Sequence, residues 1–100
     1  MKNAIKRKEL RAYLIYLIDY NYPSKLSKNI IIYEFKDEWE NSEIEKELAY
    51  LVDKKYLIKT YSKFLSLKKD NKIINFKITP LGRDLIDGTI IDLGVPILFN

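Results

Sequence analysis

Phe76-Lys77-Ile78-Thr79-Pro80-Leu81-Gly82-Arg83-Asp84-Leu85-Ile86 switches its hydrophobic period halfway along. Ile74, Phe76 and Ile78 recur every second residue, the pattern of a strand with one buried face. Thr79 then offers a side-chain oxygen that can cap unpaired amides, and Pro80 suits the first helical position, where no amide is required. The pattern predicts a short helix through Leu85 and Ile86, stopped at Gly88. A strand that runs into a capped helix constrains its surroundings, because the strand needs a partner and the helix needs an apolar cover.

The partner lies upstream. From Tyr56 the period is again two, with Leu57, Lys59, Tyr61 and Lys63 on one side and Ile58, Thr60, Ser62 and Phe64 on the other. The two runs read as a hairpin over about 57–78, turning within Lys68, Lys69, Asp70, Asn71 and Lys72, where Asp-Asn tolerates positive φ. Before it, Ser42 followed by Glu45 reads as a capping box that opens a helix over about 42–54. Ile44, Leu48, Leu51 and Val52 face inward on that helix, leaving Glu43, Lys46, Glu47, Tyr50, Asp53 and Lys54 for solvent or a partner. Asp37 to Asn41 form a polar connection whose Trp39 is assigned to packing, since tryptophan is highly buried on average. Leu26 to Lys36 can be read two ways: Ile30, Ile31 and Ile32 favour a strand, whereas Leu26, Ile30 and Tyr33 keep helical spacing, and a helix is the reading taken. Asn21 to Ser24 form a turn, with Ser24 or Ser27 as the next cap, and Glu9 to Tyr20 carry a helical apolar stripe of Leu10, Tyr13, Leu14, Leu17 and Ile18. The expected class is mainly α with a β-hairpin, an α+β fold, in a single domain over residues 1–100.

The composition narrows the chemistry. One hundred residues with 47% hydrophobic and 32% charged side chains suit one folded domain and exclude a disordered chain. Cysteine and histidine are both absent, which removes disulfides, thiol and imidazole nucleophiles and the usual zinc sites. Asp37, Glu38 and Glu40 lack the spacing of a calcium loop, Ser24 beside Lys25 or Lys28 has no glycine-rich oxyanion loop, and three glycines, Gly82, Gly88 and Gly94, make no phosphate loop. The reading is of a non-enzyme without metal or cofactor. Tyr13 to Ile18 is too short for a signal peptide or for the roughly 18 apolar residues of a membrane span, so the expected location is cytoplasmic.

The order of elements, together with two motifs, resembles a winged helix-turn-helix domain. Phe76 to Ile86 is similar to the exit from the wing in regulators of the ArsR, PadR and MarR type, a strand followed by Thr-Pro-x-Gly and a helix. Leu48-Ala49-Tyr50-Leu51-Val52-Asp53-Lys54-Lys55-Tyr56-Leu57-Ile58 resembles their passage from recognition helix to wing, with Lys55-Tyr56 where glycine and a bulkier residue are usual. The tail Asp87 to Val95 resembles the end of small ArsR-like proteins carried by Mu-like prophages. The resemblance implies a recognition helix at 42–54 and a wing at 57–78; a closing helix and apolar tail over about 80–100 complete the expected single domain. It transfers no metal sensing, because the Cys and His ligands are missing.

Charge is unevenly placed. Residues 1–36 hold 8 basic and 3 acidic side chains, 37–53 hold 1 and 7, 54–77 hold 8 and 1, and 78–100 hold 1 and 3. A basic wing can neutralise phosphates by counterion release, which points to duplex DNA as partner, while an acidic helix repels them. The candidate DNA contacts are Lys46, Tyr50 and Lys54 on the helix and Lys59, Lys63, Lys68, Lys69 and Lys72 on the wing. The alternative is a protein-interaction module in which Glu43 and Glu47 hold a basic partner. The tail Ile90 to Phe99 is too apolar to hang in water, so a homodimer that buries it against the first helix is expected.

Overall fold

The computed structural model describes residues 4–64 and 71–98. Its elements run α1 (Ala4–Tyr20), β1 (Leu26–Ser27), α2 (Lys28–Phe35), α3 (Asn41–Asp53), β2 (Leu57–Phe64), β3 (Asn71–Ile78) and α4 (Pro80–Ile86). The three strands form an antiparallel sheet in the order β1-β3-β2. The hairpin register pairs Leu57 with Ile78, Lys59 with Phe76, Tyr61 with Ile74 and Lys63 with Lys72, so the alternation expected from sequence holds on both strands. Among the described residues no helix is long and apolar enough to cross a membrane.

Three boundaries differ from the sequence reading, each for a local reason. α1 already includes Ala4 to Lys8, ahead of the expected start at Glu9, because Ala, Lys and Arg extend an existing helix readily even where no apolar stripe demands it. The ambiguous stretch divides: Leu26 and Ser27 pair with Phe76 and Asn75 as an edge strand, and Ser27 then caps α2 by accepting from the Ile30 amide at 3.3 Å. α3 is capped by Glu40 rather than Ser42, with the Glu40 amide donating to Glu43 Oε1 at 3.0 Å. The earlier start sets Trp39 and Ile44, both buried, at the two positions of a hydrophobic staple. Glu45, the expected box partner of Ser42, is engaged by Lys28 instead.

The motif that decides the fold works as a clasp between two exits. Thr79 Oγ1 accepts from the Gly82 amide at 3.0 Å as the cap of α4 and donates to the Lys55 carbonyl at 2.6 Å, at the exit of α3. The Thr79 amide donates to the Tyr56 carbonyl at 3.0 Å. A Cβ at Gly82 would collide with that carbonyl oxygen and lie 2.7 Å from Ile78 Cγ1, so only glycine admits the close approach. α3 itself ends in a Schellman motif, Tyr56 N–H to Leu51 O at 3.0 Å and Lys55 N–H to Val52 O at 2.9 Å, with Lys55 left-handed at φ 71°.

One core joins all layers: Leu10, Leu14, Ile15 and Ile18 of α1, Ile44, Leu48 and Leu51 of α3, Leu57, Phe76 and Ile78 of the sheet, and Leu85 of α4. The tail closes over it. Val95 is fully buried, Ile90 and Ile97 pack against the same cluster, and Tyr16 Oη accepts from the Leu98 amide at 2.7 Å.

Candidate nucleic-acid interface

The sheet face that gives Leu57, Phe76 and Ile78 to the core carries, farther out along the hairpin, Lys59, Tyr61, Lys63, Lys72 and Ile74. The three lysines and Tyr61 are exposed. Lys63 and Lys72 stand directly opposite one another, a like-charge cross-strand pair that favours an anion between them. The Lys59 and Lys72 ammonium groups lie 5.7 Å and 5.9 Å from the Tyr61 ring centroid. Lys68 and Lys69 lie outside the described residues.

Between this wing and α3 runs an open cleft of about 310 Å³, lined by the buried Leu48 and Phe76 and edged by Lys28, Glu45, Asp53 and Lys59. Lys28 Nζ holds Glu45 Oε1 at 2.7 Å, bringing the first residue of α2 onto the acidic flank of α3. Sequence reasoning weighs Lys28 only as a base beside Ser24 and not at this cleft; the available signal is a lysine beside a serine cap, in a stretch whose spacing reads as one long helix.

The three helix candidates for DNA contact do not stay together. At 3.6 residues per turn, Tyr50 and Lys54 lie on the far flank from Glu45, Ala49 and Asp53, and Lys46 lies between. Lys46 is exposed. Tyr50 is half-buried, with the Arg11 guanidinium 3.7 Å from its ring centroid. Lys54 Nζ is 3.2 Å from Asp92 Oδ2 in the tail. Glu47, expected to face outward, is 5% exposed and receives Arg11 Nε at 2.7 Å. Its position explains the inversion: Ile44, Glu47, Leu48 and Leu51 form one apolar stripe at helical spacing, and Arg11 occupies the matching place in the stripe of Leu14, Ile15 and Ile18. Two opposite charges set in facing stripes are the overlooked signal. Glu43 remains half-exposed at the start of the helix.

The far flank of α3 is thus a clamp. Arg11 Nη1 also donates to the Gly94 carbonyl at 3.1 Å, Tyr56 Oη donates to Asp92 Oδ2 at 2.6 Å, and the Gly94 amide donates to Asp92 Oδ1 at 2.8 Å. Burial alone would raise the Asp92 carboxyl, but the donors from Tyr56, Gly94 and Lys54 outweigh it and hold the group below the usual carboxylate value. Burial first, and then the Asp92 hydrogen bond and charge, push the Tyr56 phenol well above its ordinary value. Both groups keep one charge state through the neutral range.

No family profile and no curated protein matches the chain. Among solved structures the chain is similar to Bacillus subtilis PadR, in the crystal structure of its complex with operator DNA, at 22% identity and a TM-score of 0.57. The match covers 91% of this chain and 52% of that one, so the chain spans about half the length of the PadR chain. Among the described residues, four helices and a three-stranded antiparallel sheet with a hairpin wing, matched in this way, define the winged-helix fold, an α+β class.

Proposed function

We propose that the chain is a DNA-binding regulatory protein that engages duplex DNA chiefly through its wing. The observation that carries this reading is the exposed strip of Lys59, Lys63 and Lys72 on the wing face beside the α3 cleft, a surface of one sign that can displace condensed counterions from phosphates. The likeness to a structure of PadR bound to operator DNA supports the reading. Lys28 borders the same cleft, Lys46 is exposed between the two flanks of α3, and Lys68 and Lys69 extend the basic run in sequence, whereas Tyr50 and Lys54 serve the clamp first. The tail's resemblance supports a prophage setting. The protein-contact alternative is weaker, because it needs Glu47, which Arg11 already holds. We place a second copy of the chain against α1 and the tail, where Ile91, Leu93 and Leu98 stay 81%, 84% and 79% exposed although Ile90, Val95 and Ile97 pack on the chain's own core. Fluorescence anisotropy with a mixed-sequence duplex over a salt series tests the DNA reading: steeply salt-dependent binding supports it, and no binding at low salt rejects it.

A further inference from the structure

We infer that the wing also takes an unpaired nucleobase, stacked on the ring of Tyr61, so that the protein prefers nucleic acid with unstacked bases over a continuous duplex. The inference rests on the reading that the wing lysines meet phosphates.

Tyr61 is 57% exposed at mid-strand, on the outer part of the face whose inner part enters the core. Burying a tyrosine ring this open gains apolar area, and a flat partner gains most from it. The charges around it suit a strand of nucleotides. Lys59 and Lys63 flank Tyr61 along β2, and Lys72 approaches from β3 opposite Lys63. Their spacing along an extended strand, two residues on either side of the ring, sets cations within reach of the phosphates before and after a stacked base. The ammoniums of Lys59 and Lys72 sit near the outer limit of attraction to the ring, at 5.7 Å and 5.9 Å, so an arriving base displaces them readily and leaves them for the phosphates. The repulsion between Lys63 and Lys72 is relieved by the same anions. No acidic residue lies on the described part of this strip, whereas α3 presents Glu45 and Asp53 to its cleft. A continuous duplex pressed into that cleft meets the Asp53 carboxylate and a Glu45 that is paired with Lys28; a single strand lying along the wing avoids both.

The test compares three labelled ligands by anisotropy: a short oligothymidylate, the same strand carrying abasic sites, and a mixed-sequence duplex. Parent protein, Tyr61→Ala, Tyr61→Phe and the triple variant Lys59→Gln/Lys63→Gln/Lys72→Gln are measured, with thermal melts to verify folding. Tyr61→Ala is expected to weaken oligothymidylate binding by roughly tenfold or more and to leave the abasic strand and the duplex within about twofold of the parent. Tyr61→Phe keeps the parent's affinity because it keeps the ring. Duplex binding that depends on the lysines, with oligothymidylate binding indifferent to Tyr61, overturns this inference and leaves the DNA reading standing. An equal loss for all three ligands in Tyr61→Ala also overturns it, since stacking acts on bases alone. If the parent binds none of the three, the DNA reading itself falls, and this inference with it.

Discussion

Lys55 stands where the resembled families place glycine, and its left-handed backbone shows why they do. A residue with a Cβ carries a steric cost there that glycine avoids. Lys55→Gly is expected to raise stability by about 0.5–1 kcal/mol in urea unfolding, the relief of strain exceeding the extra freedom given to the unfolded chain. Gly82 is the opposite case. Gly82→Ala drives a methyl into the Tyr56 carbonyl and should lower stability by about 1–3 kcal/mol, read as a fall in the urea midpoint. Arg11→Met is harsher, because it leaves Glu47 buried without its cation; a loss of about 3–5 kcal/mol is expected. Pairing that change with Glu47→Leu should recover most of it, whereas a purely additive double variant would show that the two side chains do not act as a pair.

The hairpin and α3 were legible in the sequence because each keeps a clean period over eight or more residues. Leu48 was readable as core on the same ground, and Leu48→Ala should cost about 2–5 kcal/mol in the same unfolding measurement. β1 was not legible: two residues have no period, and Leu26 and Ser27 are strand only because Phe76 and Asn75 offer a free edge. The cap of α3 lies two residues ahead of the expected one, since Ser42-Glu45 and Glu40-Glu43 both fit a box and the burial of Trp39 decides between them. The clamp escaped for a different reason. Its members come from α1, α3, the α3 exit and the tail, and nothing local in the sequence joins Arg11 to Gly94 or Tyr56 to Asp92. Because Asp92 is held below its unfolded carboxyl value of 3.8, its contribution is complete above about that pH and is lost as pH falls through the lower folded value. Asp92→Asn should therefore lower the neutral melting temperature and flatten the acid limb of the stability curve. An acid limb identical to the parent's would remove Asp92 from the clamp's energetics.

Over the whole molecule, the two flanks of α3 have separate tasks. One flank is tied by Arg11, Tyr50, Lys54 and Asp92 to α1 and the tail, and the other opens on a cleft beside a wing of exposed lysines. On the proposed reading, an acidic helix beside a basic wing places the affinity for DNA in the wing and has α3 limit how closely a duplex can approach. Salt dependence of duplex binding measures this division most directly, comparing the parent with Lys59→Gln/Lys63→Gln/Lys72→Gln. The slope of log affinity against log salt should flatten by about 0.9 for each phosphate that the variant wing no longer neutralises, with the melting temperature nearly unchanged. A wing variant that binds duplex DNA as tightly as the parent at every salt concentration would contradict the assignment of the wing as the DNA-binding element.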